Sequence, residues 1–108
     1  MPKKALENLT ESMFYVLMAL YRGAKCGIEI AGYVEAQTSG ETKLGPATLY
    51  TVLSKFEKEG YIEEIGVEGR KRTYRITGKG RSAYRDELDR LRRLIANAES
   101  EGAFRHER

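Results

Sequence analysis

Residues 45–77 read GPATLYTVLSKFEKEGYIEEIGVEGRKRTYRIT, and this stretch decides the fold. Apolar residues recur at helical spacing in its first half: Leu49, Val52, Leu53 and Phe56. Pro46 at the first helical position and Gly60 after the last one are typical of helix ends. Two β-prone runs around Glu68-Gly69 follow, so the stretch predicts a helix followed directly by a β-hairpin.

The hairpin is predicted to turn at Glu68-Gly69. Counting back from that turn pairs Val67 with Arg70, Ile65 with Arg72, Glu63 with Tyr74 and Tyr61 with Ile76. The second strand carries the densest positive charge in the chain, with no acidic residue from position 69 to 85: Arg70, Lys71, Arg72 and Arg75. We expect these four cations to stand without a nearby acid. Such a hairpin is suited to contacting DNA phosphates.

Two further helix patterns precede this stretch. The first runs from Thr10, an N-cap residue, to Arg22, and Gly23 ends it. The second spans residues 27–37, and one face carries Ile28, Ala31 and Val34. A polar loop separates it from the helix that begins at Pro46. The two helices therefore predict a helix-turn-helix, whose second member bears hydroxyl, aromatic and basic side chains.

A fourth helix is predicted to begin after Thr77 and to run through about Ala98. Its apolar residues are spaced as in a coiled-coil seam: Tyr84, Leu88, Leu91, Ile95 and Ala98. This narrow stripe predicts a homodimer, and the alternative is that the helix folds back on the first helix of its own subunit. The predicted dimerisation residues are Leu9, Met13, Tyr84, Leu88, Leu91 and Ile95.

Composition excludes several classes of protein. The 108 residues include 19 Lys plus Arg and 16 Asp plus Glu, a net charge of +3, with one cysteine and one histidine. Cys26 and His106 alone form neither a disulfide, a Cys/His zinc site nor a catalytic pair, so we expect no enzyme, metal or cofactor. We interpret Cys26 as a small helix-capping residue rather than a thiol sensor. No leader or membrane-spanning stretch is evident, which predicts a cytoplasmic protein.

Together, several short motifs resemble the PadR family of transcriptional regulators. They are GIEI at 27–30, LGPATLY at 44–50, LSKFEKEGYI at 53–62, RTYRIT at 72–77 and Gly80. The resemblance implies a winged-helix DNA-binding protein of the kind that is mostly a repressor and dimerises through its C-terminal helix. The chain resembles the shorter subfamily, whose C-terminal part is one helix. The family's recognition motif falls on Pro46, Thr48, Leu49 and Tyr50, and its wing on residues 69–74.

The predicted fold is mainly α with a small β-hairpin. Residues 1–77 form a winged helix-turn-helix DNA-binding domain, and residues 78–108 form a long C-terminal dimerisation helix and tail. The predicted function is a sequence-specific DNA-binding regulator, a repressor that binds a palindromic double-stranded operator as a homodimer. The alternative is a winged-helix protein-interaction module that modulates transcription without binding DNA directly.

The candidate DNA-contacting residues lie in the helix-turn-helix and the hairpin: Lys43, Pro46, Ala47, Thr48, Tyr50, Thr51, Lys55, Arg70, Lys71 and Arg72. Competing interpretations are that Tyr50 packs against the second helix and that the hairpin charges only protect a solvated sheet edge. A small aromatic effector is a further candidate partner, in a pocket of Phe14, Tyr15, Met18, Tyr84 and Leu88. Its competing interpretation is a filled dimer core.

Overall fold

The computed structural model describes residues 8–105, with side chains for residues 8–100. His106 lies outside the described residues. The elements in chain order are α1 Glu11–Tyr21, β1 Lys25–Cys26, α2 Gly27–Gln37, α3 Pro46–Glu59, β2 Ile62–Glu68, β3 Lys71–Ile76 and α4 Gly78–Arg105. This order, with an antiparallel hairpin after the helix-turn-helix, confirms the predicted winged helix with a long C-terminal helix.

The first three helices begin and end where their capping residues predict. Thr10 Oγ1 accepts a 3.1 Å hydrogen bond from the Met13 N–H at the start of α1. Gly45 precedes Pro46 at the start of α3, and Gly60 ends that helix in the left-handed conformation, with φ of +79°. These bounds are local properties of the chain, because each cap satisfies backbone groups of its own helix.

The last helix is longer than predicted. Thr77 Oγ1 accepts a 3.1 Å hydrogen bond from the Gly80 N–H, as expected of an N-cap residue. The helix continues to Arg105 because no proline interrupts it after Ala98, where the apolar seam ends. Its surface is strongly polar, and none of the described helices is long and apolar enough to cross a membrane.

The sheet has three antiparallel strands in the order β1-β3-β2. The strand β1 was not predicted, because two residues carry no periodic signal. It pairs Lys25 with Tyr74 and Cys26 with Thr73. This pairing ties the start of α2 to the hairpin, which we call the wing (Ile62–Ile76).

The predicted hairpin register is wrong. The turn consists of Gly69 and Arg70, and the structure pairs Glu68 with Lys71, Val67 with Arg72, Glu64 with Tyr74, Glu63 with Arg75 and Ile62 with Ile76. Gly69 has φ of +61° and occupies the first turn position, where tight hairpin turns require a positive φ. The register shifts again at a β-bulge between Glu64 and Gly66. The register counted from a Glu68-Gly69 turn is wrong at each pair because it included neither the turn at Gly69-Arg70 nor the β-bulge.

The core surrounds α1, whose residues Val16, Leu17 and Ala19 are completely buried. The face predicted for α2 is partly wrong, because Ile28 is 85% exposed while Ile30 and Val34 are buried. The strand pairing of Cys26 just before α2 sets the rotation of this helix, and the i, i+4 pair then faces α1. The remaining core side chains come from α1, α3, the sheet with the residue before it, and α4: Met13, Leu20, Leu49, Val52, Leu53, Phe56, Tyr61, Ile62, Tyr74, Ile76 and Tyr84.

Candidate nucleic-acid interface

The helix α3 buries one face and exposes the other. Its buried residues are Leu49, Val52, Leu53 and Phe56, which pack in the core. The exposed residues are Pro46, Ala47, Thr48, Tyr50, Thr51, Ser54, Lys55, Glu57 and Lys58. Gly45 supplies no side-chain cap to the first turn, so the N–H groups at this helix end remain available to an anion. Every residue predicted on this helix to contact DNA is therefore accessible.

The Tyr50 ring is partly exposed to solvent and partly packed against the start of α2. Its side chain is 54% exposed. The rest of the ring lies against the start of α2, where a Cβ added to Gly27 would come 3.5 Å from the Tyr50 hydroxyl oxygen. The competing interpretation, packing against the second helix, thus holds for part of the ring. The exposed part stays free to contact a ligand in front of α3.

The cations of the wing do not all lack an acidic partner, so that prediction is wrong. Two nitrogens of Arg75 donate to Glu63 Oε2, at 2.9 and 2.7 Å. Arg72 Nη1 donates to Glu64 Oε1 at 3.2 Å. Both acids lie on β2, and the strand pairing brings them opposite β3. Because they are distant in sequence from the cations, the charge pattern around the cations did not indicate these ion pairs.

Arg70 and Lys71, at the tip of the wing, form no ion pair among the described side chains, although Glu68 is the strand partner of Lys71 and the charge of Lys71 helps to lower the pKa of the Glu29 carboxyl. Within residues 8–100, no carboxylate lies within 4.0 Å of either side chain. Both residues are exposed. Lys43, the other predicted contact outside α3, is also exposed and lies 4.0 Å from Glu35, a distance at which an exposed ion pair contributes little.

Two grooves border the exposed face of α3. One, of about 350 Å³, separates α3 from the start of α1 and is lined by Thr10, Ser12, Met13, Ala47, Thr48, Thr51, Val52 and Lys55. The other, of about 700 Å³, lies between Tyr50, the start of α2 and the wing, and we call it the wing cleft. It is lined by Cys26, Gly27, Ile28, Glu29, Tyr50, Arg70, Lys71, Arg72 and Tyr74. Two surfaces that are distant in sequence thus adjoin one helix face.

The sequence did not predict the wing cleft. Ile28 was predicted on a buried face, and Glu29 was predicted only as part of the GIEI motif, with no role in a site. The structure brings these residues to the wing because β1 pairs with β3 and α2 begins directly after β1. The one usable signal was the short Lys25-Cys26 stretch before a helix start, and it was too short to indicate a strand.

The start of α2 is closed by a capping box. Glu29 Oε1 accepts a 2.9 Å hydrogen bond from the Cys26 N–H, and this bond lowers the pKa of the Glu29 carboxyl. The Cys26 side chain in turn accepts from the Glu29 backbone and is buried. These contacts agree with the interpretation of Cys26 as a capping residue.

The residues predicted for dimerisation divide between the core and the surface. Tyr84 stacks on Phe14 with ring centroids 5.1 Å apart and lies 4.7 Å from the Tyr21 ring. This burial raises the pKa of the Tyr84 hydroxyl. Met13 is also buried in its own chain, and Leu9 and Leu88 pack partly against the core. Leu91 is half-buried, whereas Ile95 is 56% exposed.

Within the described residues of one chain, the predicted effector side chains divide between a cleft and the surface of the core. Tyr84 and Leu88 line a cleft of about 290 Å³ together with Tyr21, Arg22, Arg85, Asp89 and Arg92. Phe14, Tyr15 and Met18 instead pack partly against the core. Within the described residues, no group of three or more His, Cys, Asp or Glu side chains is arranged to hold a metal ion.

Four helices, a three-stranded antiparallel sheet and a basic wing beside an exposed polar helix face define a winged-helix protein of the regulator type. The chain matches the transcriptional regulator PadR-like family over residues 16–86, and it belongs to that family. The members of this family are regulators of transcription rather than enzymes.

The chain is similar to a curated protein and to several solved structures. Uncharacterized protein X of Lysinibacillus sphaericus is 31% identical over 77 residues, which cover 68% of this chain and 70% of that protein. The structure of a transcriptional regulator from Clostridium thermocellum is 29% identical, with a TM-score of 0.69, and the match covers 80% of this chain and 86% of that one. Bacillus subtilis PadR in complex with operator DNA shares the fold at 23% identity, with a TM-score of 0.64, over 73% of this chain and 47% of that one.

Proposed function

We propose that the protein is a homodimeric transcriptional repressor that binds a palindromic DNA operator through α3 and the wing. The observation that carries this proposal is the position of the exposed α3 face, with the exposed cations of the wing on one side and a groove that includes four hydroxyl side chains on the other. A polar helix face beside the exposed Arg70 and Lys71 can contact both the base edges and the phosphates of duplex DNA.

Each part of this surface has its own role. Thr48 and Thr51 are short hydroxyl side chains near the start of α3, where the helix dipole and free N–H groups attract phosphate. Lys55 lies one turn further along the same exposed face. Arg70 and Lys71 reach the neighbouring phosphates from the wing tip. Because phosphate contacts fix register and not sequence, base reading falls to the α3 face in the major groove.

Dimerisation is proposed for the distal half of α4. The helix has 28 residues and is therefore about 42 Å long, while residues 92–100 are all exposed. Leu94 and Ile95 expose 50% and 56% of their surface on this polar helix. A second α4 packed on these residues would bury them, and a two-fold axis would present two α3 helices to successive half-sites roughly 34–36 Å apart.

Repression follows from the position of such a dimer on a promoter, where two winged domains on one face of the DNA exclude other proteins. Membership of the PadR-like family supports this proposal, as does the operator complex of Bacillus subtilis PadR, a protein of the same fold. The symmetry of a two-fold dimer accounts for the palindromic operator, because each half-site meets the same residues.

The deciding experiment is fluorescence anisotropy with a labelled fragment of the promoter upstream of the protein's own gene. An unrelated duplex of equal length serves as the control. At about 50 mM salt we expect both duplexes to bind, the promoter fragment more tightly, with affinities that fall steeply as salt rises. Absence of binding to either duplex would contradict the proposal and favour a protein-interaction module.

A further inference from the structure

We propose that the wing cleft is a binding site for a small amphipathic organic anion, one with a flat apolar body and a carboxylate or sulfonate group. We further propose that this ligand and DNA exclude each other. The exclusion rests on the proposed function, whereas the ligand site itself does not.

The size and walls of the cleft suit an organic ligand. Its volume of about 700 Å³ lies in the range of small-molecule sites, roughly 300–1,000 Å³. Ile28 is 85% exposed, although it is a large aliphatic residue, and the half-exposed ring of Tyr50 faces the same space. A flat apolar body would cover both side chains and remove them from water.

The back wall of the cleft consists of side chains that pack against the protein. The Tyr50 ring lies against Gly27, where a Cβ would come 3.4 Å from Leu49 Cδ2 and 3.5 Å from the Tyr50 hydroxyl oxygen. Tyr74, the other aromatic residue of the lining, is buried in the core. The apolar surface therefore exists before a ligand arrives, which lowers the entropy cost of binding.

The charges around the cleft select an anion. Arg70, Lys71 and Arg72 line its outer side, and Glu29 is the one acid among the lining residues that the structure describes. The Glu29 carboxylate already accepts the Cys26 N–H, so it is held against the start of α2. Arg72 pairs with Glu64, and Lys71 interacts electrostatically with Glu29 and is the strand partner of Glu68, whereas Arg70 has no carboxylate within 4.0 Å among the described side chains. The carboxylate or sulfonate group of a ligand would give Arg70 an anionic partner.

The edge of β3 adds hydrogen-bonding groups. The strand β1 pairs with β3 only at Tyr74 and Thr73, so the same edge of β3 has no strand partner at Lys71 and Arg72. Backbone groups along an unpaired edge are available to a polar ligand. The cleft thus combines apolar walls with a few convergent polar groups, as small-molecule sites do.

Mutual exclusion with DNA follows from shared residues. Tyr50, Arg70, Lys71 and Arg72 line the cleft and also belong to the proposed DNA surface. A ligand anion on Arg70 and Lys71 would occupy the groups that otherwise meet phosphates. Such a ligand would release the protein from its operator by competition, without a change in the spacing of the two winged domains.

The probe for this site is anilinonaphthalene sulfonate, a flat anion whose fluorescence rises when it leaves water. Its neutral counterpart N-phenylnaphthylamine has the same apolar body without the charge. Titrating each probe into the DNA-free protein should show binding of the anion and about tenfold weaker binding of the neutral compound, because only the anion pairs with Arg70 and Lys71. Equal affinities would overturn the assignment of an anion site.

The location is tested with Ile28→Asp, which places a negative charge on the wall of the cleft. Ile28 is exposed and lies in the first turn of α2, where an acid is favourable, so the fold should persist. We expect the affinity for the sulfonate probe to fall about tenfold. The matched control is Gln37→Glu, which adds the same charge at the other end of α2 and should leave probe binding unchanged. Equal probe binding by the wild type and by Ile28→Asp would overturn the site.

Competition is measured separately, by adding duplex DNA to the complex of wild-type protein and sulfonate probe. Displacement of the probe would support mutual exclusion, and a probe that stays bound while the duplex also binds would overturn it. A chain that binds the probe in an Ile28-dependent manner but binds no duplex would contradict the proposed function and still support the ligand site.

Discussion

Gly80 lies so close to Tyr61 that a methyl group on its Cα would overlap the Tyr61 carbonyl oxygen and come 2.8 Å from Ile76 Cγ1. This contact joins the first turn of α4 to both ends of the wing. Thr77 strengthens the same junction, since its Oγ1 donates a 2.6 Å hydrogen bond to the Gly60 carbonyl. The orientation of the long helix relative to α3 and the wing is therefore set by close backbone contact, which a side chain at position 80 would prevent.

Gly80→Ala should destabilise the fold by about 1–3 kcal/mol, because the backbone at Tyr61 has no free space into which to retreat. Urea unfolding at fixed protein concentration measures the loss. Gly78→Ala is the matched control, since position 78 is exposed in the same helix turn with no atom within 4 Å of an added Cβ among the described residues. It should be neutral or stabilising by roughly 0.5–1 kcal/mol. Equal losses in the two variants would contradict the close contact at Gly80.

Simultaneous replacement of Arg70, Lys71 and Arg72 by alanine should weaken binding to every duplex sequence. We expect the slope of log affinity against log salt to become shallower by about 4 for the proposed dimer, from two phosphate contacts in each subunit, and not by about 6, because Arg72 already pairs with Glu64. Anisotropy titrations over a series of salt concentrations give the slope. Arg93→Ala, which removes an exposed cation from the distal part of α4, is the control and should leave the slope unchanged. An unchanged slope in the triple variant would remove the wing from the DNA surface.

Ile95→Asp should convert the proposed dimer into a monomer. The side chain is 56% exposed within its own chain, so the charge costs the isolated subunit little and acts on the contact with a partner helix. Leu91→Asp should have the same effect. Because the Leu91 side chain is half-buried in its own subunit, we also expect this variant to lose some subunit stability. Sedimentation equilibrium gives the mass, and circular dichroism confirms that helix content is retained. A dimer that survives both changes would place the interface elsewhere.

The stability of the protein should depend on pH through Glu87. This side chain is only 6% exposed, and both its oxygens accept hydrogen bonds from Arg90, at 2.9 and 2.6 Å. The bonds to Arg90 lower the pKa of the Glu87 carboxyl below its ordinary value. Its contribution to stability is therefore complete above the ordinary pKa of a glutamate, about 4.3, and is lost as pH falls through the lowered folded value.

Glu87→Gln should thus reduce the free energy of unfolding at pH 7 by about 1–3 kcal/mol and should flatten its decline in acid. Urea unfolding between neutral pH and pH of about 3 tests both effects. Glu99→Gln, on the exposed part of α4, is the control and should follow the wild type. Parallel pH profiles for Glu87→Gln and the wild type would show that the Glu87–Arg90 pair does not contribute.

The helices were predictable because their signals are local. The caps at Thr10, Gly45 and Gly60 stand within one turn of the backbone groups that they satisfy, and the apolar spacing of α3 reports its own buried face. The exposed face of α3 followed from the same pattern, since the positions that do not enter the core remain at the surface. The length of α4 was underestimated because the apolar seam ends before the helix does.

The sequence by itself determined four helices, a basic hairpin and the family to which the motifs point. Only the tertiary structure decided the turn at Gly69-Arg70, the two cross-strand ion pairs and the wing cleft. These features depend on pairing between segments distant along the chain, such as Lys25 with Tyr74. Local spacing carries no information about such pairing. The register depends jointly on the conformation of Gly69, on the β-bulge and on which side chains pack in the core.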